Sequence, residues 1–87
     1  MKIQFPAKPA IYTENTTVAF QALVDGEALT REVSTEALQD HFGATTAYGS
    51  DLVATFEANR AAIEAVAMAK LPQRVDAGRY LLTSADF

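Results

Sequence analysis

The chain contains no cysteine, so neither disulfides nor thiolate chemistry can contribute. Secreted domains of this size are usually stapled by disulfides, and their absence points to the cytoplasm. The stretch Met1-Lys2-Ile3-Gln4-Phe5-Pro6 lacks the apolar core of a signal peptide. Nor does any segment approach the ~20 consecutive apolar residues of a membrane span. There is one histidine, His41, so no His pair can bind a metal and no HExxH spacing exists. Cations are also sparse: seven Lys and Arg stand against eleven Asp and Glu, a formal charge of −4. They are scattered singly, whereas nucleic-acid binding draws its affinity from clustered cations. Neither nucleic acid nor a membrane is therefore expected as a partner. Gly26, Gly43, Gly49 and Gly78 are isolated and form neither a phosphate loop nor a dinucleotide fingerprint. None of Ser34, Ser50 and Ser84 sits in a Gly-x-Ser-x-Gly elbow.

What remains is a globular pattern. Eighty-seven residues, 49% of them hydrophobic, suit a single domain over 1–87 with a core one layer thick. The hydrophobic period changes near Ser34. Before it, apolar residues alternate as in strands; after it, Leu38, Phe42, Leu52, Phe56, Ile63 and Val66 recur at helical spacing. Lys2–Pro9 reads as a lead-in or edge arm, because Pro6 and Pro9 withhold ladder donors. A brief strand is expected at Ile11–Thr13 and a longer one at Thr17–Val24. Asp25-Gly26 then supplies a two-residue turn with both residues at positive φ, and Glu27–Val33 returns. That loop length pairs Val24 with Glu27, Ala22 with Leu29, Phe20 with Arg31 and Val18 with Val33. Arg31 thereby lands among core positions.

Ser34 is the expected N-cap of a helix over Thr35–Phe42 that ends at Gly43. Ser50 is expected to cap a second helix running to about Lys70 and over by Pro72. Arg79–Ser84 reads as the last strand. The order β-β-β-α-α-β implies an α+β fold, a small antiparallel sheet with two helices packed on one face.

Three polar residues stand out. Asn59 falls inside the apolar stripe of the long helix, where a carboxamide needs hydrogen-bond partners. Arg60 lies four residues before Glu64, the spacing of a helical ion pair. His41 occupies the last turn of the first helix, where the dipole favours its cation. Together His41, Asn59 and Arg60 are the candidate ligand- or anion-binding residues. The plainer reading gives each a structural task, because most buried polar groups are satisfied internally. The outer face of the long helix carries Ala54, Ala58, Ala61, Ala65 and Met68. It is a candidate interaction surface, although alanine is also the best helix former.

Taken together, Val24-Asp25-Gly26, Ser34-Thr35-Glu36-Ala37-Leu38, His41-Phe42-Gly43, Phe56-Glu57-Ala58-Asn59-Arg60, Ile63-Glu64 and Asp86-Phe87 resemble the small bacterial proteins grouped as domain of unknown function 1488. The resemblance spans nearly the whole chain, and its most specific part is Asn-Arg-x-x-Ile-Glu. It implies three strands, two helices and a last strand, and it carries over no activity, cofactor or catalytic residue. Arg31 departs from the small or apolar residue that relatives often carry there. The functional expectation is a non-catalytic cytoplasmic protein-interaction or regulatory domain without cofactor or metal. Its partner would be another protein or a second copy in a homodimer. The alternative is a small-ligand or anion-binding module using Asn59, Arg60 and His41.

Overall fold

The computed structural model describes residues 2–70 and 81–87. Its centre is a hairpin of two eight-residue strands, β3 (Thr17–Val24) and β4 (Glu27–Ser34). Asp25 and Gly26 turn the chain with φ of 52° and 86°, the left-handed pair that a two-residue hairpin loop requires. The register is the one that this loop dictates, from Val24 opposite Glu27 to Thr17 opposite Ser34.

Two short strands lie end to end along the free side of β3. In β1 (Ile3–Gln4), Ile3 pairs with Val24; in β2 (Ile11–Tyr12), Ile11 pairs with Ala19. The arm expected from the sequence thus contains a strand of its own. It is anchored at the hairpin turn, where the Lys2 amide donates to Asp25 Oδ1 and the Asp25 amide donates to the Lys2 carbonyl, both at 2.8 Å. Between the two strands the prolines interrupt pairing, and Lys8 N closes a tight turn on Pro6 O at 2.8 Å.

On the other side, β5 (Leu81–Leu82) pairs with β4 in parallel, Leu82 opposite Val33. The sheet is therefore mixed, not wholly antiparallel, and its element order is β-β-β-β-α-α-α-β. The reason is topological: the helices carry the chain back across one face before it rejoins the sheet, and such a crossover delivers a parallel strand. Arg79 and Tyr80, expected in this strand, lie outside the described residues. Ser84, expected at its end, belongs to a 3-10 turn over Ser84–Asp86.

Helix α1 (Thr35–Phe42) begins and ends as its sequence requires. Ser34 Oγ accepts from Ala37 N at 3.1 Å, and Gly43 takes the left-handed conformation at φ 79°. The long helix is two: α2 (Gly49–Ala58) and α3 (Arg60–Lys70), parted at Asn59, whose φ and ψ are −120° and 19°. Ser50 is not its cap. Tyr48 is the N-cap residue, and Thr46 Oγ1 steadies the entry by donating to Asp51 Oδ2 and accepting from Tyr48 N. The ring of Tyr12 lies against Gly49 where α2 meets β2.

The helices cover one face of the sheet. Val18, Phe20, Val33 and Leu82 from the strands meet Ala37, Leu38, Leu52, Phe56, Ile63 and Ala67 from the helices. Ala67 holds the place that uninterrupted periodicity gives to Val66, which is only half-buried. The break at Asn59 resets the phase of the buried line. Leu29, expected in the core, is likewise half-buried, while Arg31 is buried at 5% exposure.

Phe56 is fully buried and its ring lies 5.1 Å from that of Phe20. It joins the helical layer to the sheet. Phe56→Ala is expected to cost about 3–5 kcal/mol, a large share of the ~5–15 kcal/mol that stabilises a domain. Chemical denaturation monitored by circular dichroism should show the loss. A midpoint close to wild type would place the helix–sheet contact elsewhere.

Candidate functional site

Arg60 is the most heavily engaged polar side chain of the helical layer. As the first residue of α3 it has Glu64 one turn ahead on its own helix and Glu57, three residues back, at the end of α2. Nη1 donates to Glu57 Oε1 at 2.7 Å and Nε donates to Glu64 Oε2 at 2.9 Å. The guanidinium lies 5.4 Å from the centre of the Phe56 ring, within cation–π range. Nη2 reaches across to the Pro6 carbonyl at 3.3 Å. From the same region, Glu57 Oε2 accepts from Ala10 N at 3.4 Å. The Glu57–Arg60 pair therefore grips both ends of the loop between β1 and β2 and pulls it to the helical side of the sheet.

The electrostatics follow from these contacts. The hydrogen bond from Arg60 holds the Glu57 carboxyl below its ordinary value of 4.5; burial opposes this, and the Ala10 amide and the Arg60 charge assist it. Burial alone would lower the Arg60 guanidinium, but its hydrogen bonds to Glu57 and Glu64 outweigh that and raise it. An arginine engaged through all three of its nitrogens makes a structural clasp.

Asn59 ends α2. Its Nδ2 donates to Thr55 O at 2.9 Å, and its own N–H reaches Thr55 O and Phe56 O. The side chain is half-buried and caps its own helix instead of pointing into the core. The break moves it off the apolar stripe where continuous helical geometry would put it.

His41 stands elsewhere, at the closing 3-10 turn. Its Nε2 lies 2.8 Å from the Ser84 carbonyl, and its ring centre is 5.8 Å from that of Phe87. Asp40 joins it there, because Ser84 Oγ donates to Asp40 Oδ2 at 2.6 Å. Phe87 completes the contact with an edge-on approach to Phe42 at 5.2 Å. Serine, histidine and aspartate thus meet, but not as a nucleophilic triad. The carbonyl has no proton, so Nε2 must be the donor, and a protonated Nε2 cannot take the hydroxyl proton of Ser84. The hydroxyl is already committed to Asp40. The trio fastens the 3-10 turn to the end of α1.

His41 shares no hydrogen bond or ion pair with Asn59 or Arg60 among the described residues. Sequence alone could not pair His41 with Ser84, 43 residues away, or Arg60 with Pro6, 54 away; Glu57, three residues before Arg60, was readable from helical spacing. Ala54, Ala58, Ala61, Ala65 and Met68 are all exposed, Met68 at 50%. Among the described residues no group of three or more His, Cys, Asp or Glu could hold a metal ion, and no helix is long and apolar enough to cross a membrane.

The chain belongs to the family described as Protein of unknown function (DUF1488), which it matches over residues 3–82. Comparison with curated proteins and with solved structures gives no match. Within the matched span, Asn59, Arg60, Ile63 and Glu64 are the helix joint, the clasp, one core residue and the second carboxylate of the clasp.

The lowered pKa of Glu57 makes the clasp sensitive to acid. Folding favours the ionised carboxylate, so its contribution is complete above the ordinary carboxylate range and lost as the pH falls through the folded value. Glu57→Gln should therefore be less stable than wild type at pH 7 by a modest amount, since the pair is partly exposed to solvent. The two should converge as the medium is acidified. Urea midpoints at a series of pH values test this; a gap that persists unchanged in acid would mean that Arg60 does not hold the carboxylate.

Proposed function

We propose that this chain is a non-catalytic interaction domain of the bacterial cytoplasm, docking through the outer faces of α2 and α3 onto a second copy of itself or another protein. The observation that carries the reading is the exposure of Ala54, Ala58, Ala61, Ala65 and Met68 opposite the buried line of Leu52, Phe56, Ile63 and Ala67. Small side chains let a facing helix come close, and Met68 offers an adaptable apolar contact.

The sheet edge along β1 and β2 supports the choice of the helical surface. It is broken by the Pro6–Pro9 loop between two-residue strands. Short, interrupted edges are poor templates for pairing with another chain. The side chains of His41, Asn59 and Arg60 are all engaged within the protein, which favours the interaction reading over an anion site built from them.

Sedimentation velocity tests the proposal. Wild type is expected to associate at concentrations of roughly 10–100 μM, the range of a modest interface. Ala58→Glu combined with Ala65→Glu should abolish association while leaving the circular dichroism spectrum unchanged, because both positions are exposed. Association that survives the double substitution would move the interface off the helices. A wild-type monomer at all concentrations would leave only a heterologous partner.

A further inference from the structure

The loop between β1 and β2 leaves a gap in the sheet. Along β3, Leu23 pairs with Gln4 and Ala19 pairs with Ile11; Gln21, midway between them, has no partner residue on that side among the described residues. Its main chain faces the gap. The Asp25 amide bonds Lys2 and the Thr17 carbonyl bonds Thr13, so the odd-numbered residues of this unbulged strand turn their N–H and C=O towards β1 and β2. Gln21 has the same parity. No loop residue bonds to the Gln21 main chain, since Arg60 and Glu57 draw Pro6 and Ala10 to the helical side. Phe5 follows them, its ring centre 6.2 Å from that of Phe20.

The space left on the opposite side is a groove of about 270 Å³, lined by Lys8, Pro9, Ile11, Ala19, Phe20, Gln21 and Thr30. By register, the side chains of Ile11, Ala19, Gln21 and Thr30 share the face turned away from the helices. That face offers an apolar wall, with Ile11 66% exposed. Lys8 at the rim is exposed and forms no ion pair within 4 Å among the described residues, in a protein whose net charge is −4. A main-chain donor and acceptor side by side, an apolar rest and one free ammonium together match a peptide's terminal residue.

We propose that this notch binds the carboxyl terminus of a peptide. The terminal residue forms a single β-bridge to Gln21: its N–H donates to the Gln21 carbonyl, and one carboxylate oxygen accepts from the Gln21 N–H. The other oxygen faces the Lys8 ammonium, and an apolar terminal side chain rests on Ile11 and Ala19. This is strand addition reduced to one residue, combined with capture of a chain end. It uses a different face from the helical surface proposed above and does not depend on it.

Amide-resolved NMR on the intact chain tests both the gap and its occupant. Without ligand, the Gln21 amide should exchange with solvent faster than those of Ala19 and Leu23, whose N–H groups are bonded to β2 and β1. Protection equal to theirs would show the gap closed and overturn the proposal. Titration with N-acetyl-alanyl-valine should give saturable shifts at Lys8, Ile11, Ala19, Gln21 and Thr30 below roughly 20 mM, a range set by so small a contact. Its carboxamide analogue, and the free acid against Lys8→Gln, should each bind about fivefold more weakly, the size of an exposed ion pair. Lys8 lies in an exposed loop, so the variant stays folded. Absence of saturable shifts, or equal binding of acid and carboxamide, would overturn the assignment.

Discussion

The Asp25–Gly26 turn joins β3 to β4 with two residues at positive φ, and that closure leaves no freedom in how the strands meet. A slip of one residue would carry Val18, Phe20 and Val33 to the solvent face and bring Ala19 and Glu32 inward. Every other strand attaches to one of these two: β1 and β2 to β3, β5 to β4. The helices in turn pack on the side chains that this register presents. Even β1 is tied to the turn itself, through the carboxylate of Asp25. The residue that permits the turn thus also secures the first strand.

Local devices were legible in the sequence. The Asp-Gly turn, the Ser34 cap and the Gly43 termination each depend on a few adjacent residues, and each stands where its chemistry places it. The break at Asn59 was not legible, because helix-forming residues continue at similar density on both sides. Its trace is that Ala67, not Val66, is buried. The parallel β5 was hidden too: a two-residue strand has no periodicity, and its direction follows from the helical crossover. Among the candidate site residues, the Arg60–Glu64 pair could be read because the two are one turn apart. The contacts that decide what these residues do join distant segments, Arg60 to Pro6 and His41 to Ser84, and no spacing rule reports them.

The clasp around Arg60 gives the stretch from Asn59 to Glu64 a physical meaning. A loop carrying two prolines cannot pair with β3 along its length, so something else must hold it. The guanidinium and the Glu57 carboxylate do so at Pro6 and Ala10, while Ile63, on the same helix, enters the core. One short motif thereby coordinates a helix joint, a sheet edge and the interior. The position of its guanidinium over the Phe56 ring also links the polar clasp to the buried contact between Phe56 and Phe20.

The contact between Tyr12 and Gly49 constrains how such sequences can drift. A methyl group built on Gly49 would lie 2.8 Å from Cγ and Cδ2 of Tyr12 and 3.2 Å from its Cβ. Those atoms belong to the root of the side chain, and Tyr12 is held in the sheet opposite Val18; the ring cannot simply swing aside. Position 49 is closed for want of room, not for any demand on its backbone. The order of substitutions then matters. A smaller residue at 12 would open position 49 to side chains, whereas a side chain acquired first at 49 would push the start of α2 from the sheet and loosen Leu52, one turn further on. Neutral change at this pair can proceed from the strand to the helix, and not in reverse.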